Sequence, residues 1–215
     1  MSRLVFLGPP GVGKGTQAAG LAQDLGIPHI STGAILRDAL ERGTPTGLEA
    51  KKFMDAGELV PDSVVLQLVR DRLAEEDARN GWLLDGYPRN LEQGEALQSL
   101  LHEIGDALDH VIYFECAEEE LVRRLSGRRT CKTCGSTFHV EFAPIPENAE
   151  CEAGGDCEIY QRSDDTEEAI LNRLAVYQRE TGPLVEHYKS KDQLIILNGA
   201  APIAEVGTAL RKALN

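Results

Sequence analysis

The chain alternates between short, mainly apolar runs and longer segments with helical periodicity. The apolar runs lie at positions 4–7, 27–31, 82–85, 110–114 and 194–197. Runs of this length are typical of strands that are buried on both faces, as in parallel sheets. The segments between them repeat apolar residues every three or four positions, as amphipathic helices do. The pattern therefore predicts an α/β fold in which a five-stranded parallel sheet is covered by helices on both faces.

Residues that commonly begin or end helices set the predicted boundaries. Asp62 is expected to cap a helix that continues through Leu73 and is stopped by Gly81. A second acidic cap is expected at Asp165, where the order Asp-Thr-Glu-Glu resembles a capping box. The helix that follows is expected to continue to about residue 191, with a break at Pro183.

Two segments interrupt this alternation. In 31–60 two short helical patterns are bounded by glycine and proline, and in 127–161 the periodicity is lost among Cys, Gly, Pro and acidic residues. Both segments are interpreted as insertions into one larger unit. The predicted division is a core of 1–30, 61–126 and 162–215 with two small inserted domains.

The first apolar run leads directly into a glycine-rich loop, Gly8-Pro9-Pro10-Gly11-Val12-Gly13-Lys14-Gly15-Thr16, that opens a helix. Strand, glycine loop and helix in this order are the context of a phosphate-binding loop. Glycines let backbone N–H groups approach phosphate oxygens, and the helix N-terminus adds its positive dipole end. Lys14 would supply charge at the β and γ phosphates, and Thr16, one position later than usual, would reach Mg²⁺. The alternative is a turn without a ligand, but the motif favours a nucleoside triphosphate.

A carboxylate ends the third apolar run, because Asp85 follows Trp82-Leu83-Leu84. Ligands of parallel sheets bind beyond the carboxyl ends of the strands. Asp85 is therefore predicted to help hold Mg²⁺ through water. The alternative is a carboxylate that caps the following turn.

Composition and charge narrow the possible partners. The 215 residues are 42% hydrophobic, enough for one core, and the net charge is -13 at pH 7. This charge repels duplex nucleic acid and anionic membranes, so neither is expected as a partner. The apolar runs are far shorter than the roughly 18 residues of a membrane span, and Met1-Ser2-Arg3 lacks the pattern of a signal peptide. We therefore expect a cytoplasmic protein.

Four of the five cysteines fall between positions 131 and 157. In a reducing compartment such a cluster indicates a metal site, with free or disulfide-paired cysteines as the alternative. The first pair has the two-residue spacing of a zinc knuckle, whereas five residues separate the second pair. We predict a structural Zn²⁺ in a tetrahedral site of four thiolates, Cys131, Cys134, Cys151 and Cys157. Asp156 or His139 would replace Cys157 if the loop cannot close.

A set of arginines lies at predicted element ends or beside glycines, where moving segments would bring them together: Arg37, Arg89, Arg124, Arg128, Arg162 and Arg173. A guanidinium stays charged and can donate hydrogen bonds to two phosphate oxygens at once. Phosphoryl transfer between two nucleotides crowds negative charge and is catalysed mainly by positioning and electrostatic clamping. A phosphate acceptor is already ionised near neutral pH, so no general base is needed. Taken singly, each arginine could be a solvated surface residue.

With these motifs in place, the sequence resembles the adenylate kinases of the nucleoside monophosphate kinase family, in the long-lid form with a zinc site. The matching segments are the phosphate loop through Gln17, Ser31-Thr32-Gly33 with Leu36-Arg37, Asp85-Gly86-Tyr87-Pro88-Arg89 with Gln93, Gly127-Arg128-Arg129, and Arg162-Ser163-Asp164-Asp165 with Arg173. The match follows the family's spacing over nearly the whole chain. Tyr87 stands where phenylalanine is more usual, which retains an aromatic ring.

The resemblance implies a P-loop NTPase-type core and the reaction of ATP with AMP to give two ADP, with Mg²⁺. It implies that 31–60 binds AMP and that 127–161 is a zinc-bearing lid, both closing over the core. ATP, AMP and ADP are the implied partners, and a monomer is expected. Thr32 favours an adenylate kinase over the pyrimidine monophosphate kinases, which usually carry alanine there.

The resemblance also implies roles for individual residues. ATP would contact Gly11, Val12, Gly13, Lys14, Gly15, Thr16, Arg124, Arg128 and Ala201. AMP would contact Thr32, Arg37, Gly86, Arg89, Gln93, Arg162 and Arg173. Catalysis would depend on Lys14, Arg89, Arg124, Arg128, Arg162 and Arg173. Mg²⁺ would be held through water by Thr16 and Asp85.

Two other classes of protein compete with this interpretation. A P-loop switch or motor would leave Arg37, Arg89 and Gln93 without a role. A nucleic-acid binder with a zinc ribbon gains support from basic residues beside the first cysteine pair, but the 127–161 insertion is rich in acidic residues. Within the enzyme class, GTP is the main alternative as the phosphoryl donor.

Overall fold

The structure is a computed structural model and describes residues 2–146, 151 and 154–214. Its central strands are β1 Ser2–Leu7, β2 His29–Ser31, β3 Gly81–Asp85, β4 His110–Glu115 and β8 Leu194–Asn198. They form one sheet in the order β2-β3-β1-β4-β8, and every neighbouring pair is parallel. The predicted five-stranded parallel sheet is confirmed, and the strand ends lie within two residues of the apolar runs.

Helices cover both faces of this sheet. They are α1 Lys14–Leu25, α2 Thr32–Glu41, α3 Pro45–Ala56, α4 Asp62–Leu73, α5 Leu91–Glu103, α6 Glu118–Ser126, α7 Glu167–Val176, α8 Gly182–Ser190 and α9 Ile203–Ala213. Because alternate residues of a strand point to opposite faces, β1 sends Val5 into the core beside α4, α5 and α8 and Phe6 into the core beside α1, α6, α7 and α9. Within the described residues, every helix is too short or too polar to span a lipid bilayer.

The segment 31–60 contains α2 and α3, and it lies against α7. Asn172 on α7 donates a hydrogen bond from Nδ2 to the Ala56 carbonyl oxygen, 2.6 Å away. The Ser163 hydroxyl donates to the Asp55 carboxylate over 2.7 Å. These contacts join the end of α3 to the part of the chain that follows the second insertion.

The segment 127–161 contains a small antiparallel sheet that the sequence pattern does not predict. Its strands are β5 Arg128–Cys131, β6 Thr137–His139 and β7 Ile159–Tyr160, in the order β6-β5-β7. Strands of four, three and two residues are too short for an alternating pattern to be visible.

The predicted boundaries of α4 are wrong. Asp62 is the first residue of the helix rather than its cap, Pro61 takes the cap position, and the helix ends at Leu73. The Asp62 carboxylate instead accepts hydrogen bonds from side chains on and before α5. A 3₁₀ turn, Glu76–Asn80, separates α4 from Gly81, which opens β3.

The predicted acidic cap of α7 is also wrong. The Thr166 hydroxyl caps the helix by accepting a hydrogen bond from the Ala169 N–H. Asp165 lies in the preceding 3₁₀ turn, where its carboxylate binds arginines. The predicted helix break is confirmed, but it begins a few residues before Pro183. A π-helical turn, Tyr177–Thr181, separates α7 from α8, and Pro183 lies in the first turn of α8.

Candidate nucleotide site and metal centre

The glycine-rich loop joins the end of β1 to the start of α1. Gly13 takes the cap position of α1 with φ 99°, a left-handed conformation that favours glycine. Gly8 has φ 146°, and a Cβ atom there would lie only 2.8 Å from the Phe114 carbonyl oxygen. Both positions therefore need glycine, and the loop delivers its backbone to the N-terminus of a helix at the carboxyl end of a strand.

Lys14 folds back over its own loop. Its ammonium donates hydrogen bonds to the Gly8 carbonyl oxygen at 2.6 Å and to the Pro9 carbonyl oxygen at 2.9 Å. Burial, with further repulsion from neighbouring arginines, lowers the pKa of Lys14 to about 8. The Asp85 carboxylate only partly offsets this effect. The ammonium is thus a cation without sufficient negative charge around it, and phosphate oxygens would supply that charge.

Asp85 lies at the carboxyl end of β3 and faces the start of α1. Its Oδ2 atom is 3.4 Å from His29 Nε2, and a Cβ atom placed on Gly15 would be 3.8 Å from the same oxygen. Burial favours a higher pKa for Asp85, but the His29 hydrogen bond and the charge of Lys14 outweigh it, so the net pKa is lowered. Thr16 is exposed in the first turn of α1. The ionised Asp85 carboxylate therefore lies beside the start of α1, and carboxylate oxygens of this kind can hold Mg²⁺ through water.

Arg89, Arg128 and Arg173 come from separate elements and lie near Lys14, and Arg37 and Arg162 lie near Arg128. Burial lowers the pKa values of the Arg37, Arg89, Arg162 and Arg173 guanidinium groups, and repulsion among neighbouring arginines lowers them further. For Arg162 the pKa falls to about 10. These guanidinium groups lie near enough to repel one another, and a concentration of positive charge of this kind suits a polyphosphate.

Two acidic residues hold part of this cluster in place. The Asp165 side chain is fully buried and accepts hydrogen bonds from Arg128 Nε at 2.8 Å and from an Arg173 terminal nitrogen at 3.1 Å. Asp164 pairs with Arg173 at 3.1 Å. Arg162 donates from Nε to the Thr130 hydroxyl at 3.1 Å. Fixed partners of this kind orient guanidinium groups before any ligand binds.

Arg124 occupies a different place from the other arginines. It donates hydrogen bonds to the carbonyl oxygens of Gly199 at 2.8 Å and Ala200 at 3.2 Å, with a longer contact of 3.4 Å to that of Val12. Ala201 lies in the same loop. Arg124 therefore links the phosphate loop to the loop that precedes α9.

Four of the residues predicted to bind AMP form a second hydrogen-bonded group, namely Thr32, Gly86, Arg89 and Gln93. The buried Thr32 hydroxyl and the Arg89 Nε both donate to the Gly86 carbonyl oxygen, at 3.0 and 2.7 Å. The Arg89 backbone N–H donates to Gln93 Oε1 at 2.7 Å. Tyr87 is fully buried, and its hydroxyl donates to the Gln93 carbonyl oxygen at 3.2 Å. The structure thus brings these residues together between β3, α2 and α5.

The four predicted metal ligands also come together. Their Sγ atoms all lie within 4.8 Å of one another, and those of Cys131 and Cys151 are 3.8 Å apart. Tetrahedral zinc with Zn–S bonds of about 2.3 Å sets sulfur separations of about 3.8 Å. Backbone N–H groups of Cys134 and Thr133 lower the pKa of the Cys131 thiol to about 6, which favours the thiolate. The donor set and its spacing fit a zinc ion.

Cys157, rather than His139, completes this cluster. His139 Nδ1 accepts hydrogen bonds from the backbone N–H groups of Glu141 and Phe142, both at 3.0 Å. Its ring also packs against Gly127, where a Cβ atom would be 2.2 Å from His139 Nε2. His139 therefore holds the turn after β6, and Asp156 is exposed outside the four-sulfur group.

The sequence predicts no site role for Asp62, Asp164 or His29, and it predicts a helix cap at Asp165. Each of these residues contacts a predicted site residue through a side chain. The only available signal was the acidic pair beside Arg162, which also matches the start of a helix.

Comparisons with known proteins agree with this geometry. The family model described as adenylate kinase matches residues 6–193. An adenylate kinase of Methanocella arvoryzae is 49% identical over 212 residues, covering 99% of this chain and 98% of the relative. One of Caldicellulosiruptor bescii is 47% identical over 99% and 98% of the two chains, and one of Alkaliphilus oremlandii is 50% identical over 95% and 94%. The chain therefore belongs to the adenylate kinase family.

Proposed function

We propose that the protein catalyses the reversible, Mg²⁺-dependent transfer of the terminal phosphoryl group of ATP to AMP, giving two ADP. The observation that carries the proposal is the convergence of Lys14 with arginines from separate parts of the chain on one phosphate loop. Phosphoryl transfer needs little covalent chemistry from a protein and depends on charge clamping and alignment. A cleft with this excess of fixed cations supplies both.

On the donor side, Lys14 and the backbone amides of 11–16 bind the β and γ phosphates of ATP. Arg124 and Ala201 line the adenine side of the nucleotide. Thr16 and Asp85 would hold Mg²⁺ through water. When bound, the ion neutralises charge on the β and γ phosphates.

On the acceptor side, Arg37 and Arg89 bind the AMP phosphate, Thr32 and Gln93 recognise adenine, and Gly86 also contacts AMP. Arg128, Arg162 and Arg173 surround the transferring group, which carries its charge on the equatorial oxygens. The acceptor phosphate arrives ionised because its second pKa is about 6, so these residues align it without removing a proton.

Closure of two segments brings donor and acceptor together. Segment 31–60 carries Arg37 as an AMP-binding domain, and segment 127–161 carries Arg128 as a lid. The hydrogen bond between Ser163 and Asp55 supports the proposal, because it joins segment 31–60 to the residues that directly follow segment 127–161. Closure excludes water, which strengthens the electrostatic clamp and prevents hydrolysis of ATP.

Zinc bound by the four cysteines has a structural role. Four protein ligands leave no open coordination position for chemistry. The described part of this segment has strands of only two to four residues, which are too short to build a core, so a metal would replace apolar burial. We further propose that the enzyme acts as a cytoplasmic monomer. The net charge of -13 supports the absence of a nucleic-acid or anionic membrane partner.

Steady-state ADP formation tests the proposal. We expect rapid ADP production from Mg²⁺, ATP and AMP together, and almost none when AMP or Mg²⁺ is omitted. A grid of triphosphate donors and monophosphate acceptors separates ATP from GTP. Hydrolysis of ATP at a rate independent of AMP would contradict the proposal and indicate a switch or motor instead.

A further inference from the structure

The Asp62 carboxylate joins the N-termini of two helices beside the proposed AMP site. Asp62 begins α4, and its Oδ1 atom accepts a hydrogen bond from Gln93 Nε2 at 2.7 Å. Asn90, which caps α5, donates from Nδ2 to the same carboxylate at 3.1 Å. Asp62 therefore reaches across 31 positions of sequence to the side-chain amide of Gln93.

The Gln93 amide is held at both ends by partners of opposite polarity. Its Oε1 accepts from the Arg89 backbone N–H at 2.7 Å, and its Nε2 donates to Asp62. The Gln93 residue is only 2% exposed. A rotation of the amide by 180° would place Oε1 against a carboxylate and the NH₂ group against another N–H group. Both contacts are repulsive, so Asp62 and Arg89 allow one orientation of the amide.

We infer that Asp62 is a positioning residue that, through Gln93, makes the acceptor site select 6-amino purines over 6-oxo purines; this inference rests on the proposed function. After its contacts with Asp62 and Arg89, the Gln93 amide keeps one N–H donor and one oxygen lone pair.

Adenine matches that pair, because its 6-amino group donates and the neighbouring ring nitrogen accepts. A 6-oxo purine offers an acceptor where adenine has its amino group, so it would meet the Gln93 oxygen with like polarity. The base cannot turn over to compensate when Arg37 and Arg89 anchor the phosphate. A fixed amide therefore rejects the 6-oxo base, and a freely rotating amide would not.

The test compares AMP with its 6-oxo analogue IMP in an Asp62→Ala variant. We expect KM for AMP to rise about tenfold, while kcat and KM for ATP stay within about twofold. The preference for AMP over IMP, as a ratio of kcat/KM values, should fall about tenfold. A purely structural role for Asp62 would lower turnover with both nucleotides equally and leave this ratio unchanged.

The chain offers a matched control on the same helix. Gln67 Nε2 donates to the Asp71 carboxylate at 2.7 Å, which is the same pairing at an exposed position. Asp71→Ala should leave KM for AMP and the AMP to IMP ratio at the values of the unaltered protein. Asp62→Asn keeps one acceptor oxygen for two donors, so it should lower the ratio by only about threefold.

An unchanged AMP to IMP ratio in folded Asp62→Ala protein would overturn the inference. If that variant does not fold, the nearly isosteric Asp62→Asn variant decides in the same way, because a ratio equal to that of the unaltered protein would exclude a positioning role. Failure of the proposed function is a separate result, since the unaltered protein would then show no AMP-dependent ADP formation at all.

Discussion

The phosphate cleft and the cysteine-bearing segment achieve order by different means. The cleft lies at the end of a sheet whose residues Phe6 and Leu83 are at most 1% exposed, and its cations are held by buried partners. Where the structure describes the segment 127–161, its strands are all short and Val140 and Phe142 are exposed, and four cysteines lie together. Where apolar burial fixes the backbone, side chains can be aimed directly, and where burial is lacking, we propose that metal coordination replaces it.

Lys14→Ala should have the largest effect and should separate function from stability in the cleft. Loss of the ammonium should reduce kcat at least a thousandfold, because the negative charge on the transferring phosphates would lose the cation that stabilises it most in the transition state. The melting temperature should not fall, since the charged lysine is disfavoured by burial in the ligand-free fold. A coupled ADP assay and thermal unfolding measure the two quantities. Lys189→Ala, at an exposed lysine, is the control, and activity within tenfold of normal would count against the site.

Arg89→Ala should act on the acceptor side of the same cleft. We expect kcat/KM for AMP to fall about a hundredfold, while KM for ATP changes less than threefold. Arg70→Ala removes an arginine that pairs with Glu103 at the surface, and it should leave both constants unchanged. Normal turnover with an unchanged KM for AMP would show that Arg89 does not bind the acceptor.

The pH dependence of ATP binding should report the charge of Lys14. Its pKa of about 8 in the free protein must rise when phosphate oxygens bind, so binding above pH 8 takes up a proton. Affinity for ATP should therefore weaken on the order of tenfold between pH 8 and 9.5, and Lys14 should contribute little change below pH 7. Calorimetry in two buffers of different ionisation enthalpy detects the proton. Lys14→Arg, which stays charged, should abolish this dependence, and a flat profile in the unaltered protein would refute the assignment.

Cys134→Ser should have the smallest catalytic effect and should show how far the stability of segment 127–161 depends on metal. We expect the melting temperature to fall by roughly 5 °C or more, because one of four zinc ligands is lost. The value of kcat at 25 °C should stay within about threefold of normal.

Cys116→Ser is the matched control for that variant. Cys116 lies outside the sulfur cluster and packs against the apolar core, so its substitution should not alter zinc content. Purified protein should contain one zinc per chain. If correctly folded, active protein contained no zinc, metal coordination would not be what stabilises segment 127–161.

The sequence predicts the core well because its strands and its phosphate loop are each specified by a short, continuous stretch of residues. Each sheet strand is a short apolar run bounded by turn residues, and the phosphate loop is a continuous motif, so both were found without tertiary information. The sequence does not reveal the strands of segment 127–161, because two to four residues show no periodic pattern. The predicted cap at Asp165 is wrong because the local sequence before a helix is the same whether an acidic residue caps the helix or pairs with arginines from elsewhere in the chain.

The candidate site depended more on resemblance and on the fold. The arginines were recognised as a group through the family motifs, but only the folded chain brings Arg37, Arg128 and Arg173 near each other. The pairing of Asp62 with Gln93 joins two helices and leaves no periodic signal. Contacts of this kind follow from the order of strands in the sheet, which local patterns do not determine.

A crystal structure with a bisubstrate dinucleotide, two adenosines joined by five phosphates, would show directly whether both nucleotides meet at the phosphate loop. We expect the oligophosphate to lie between Lys14 and Arg89, with one adenine beside Thr32 and Gln93 and the other beside the loop before α9. An oligophosphate bound away from Lys14 and Arg89 would contradict this expectation.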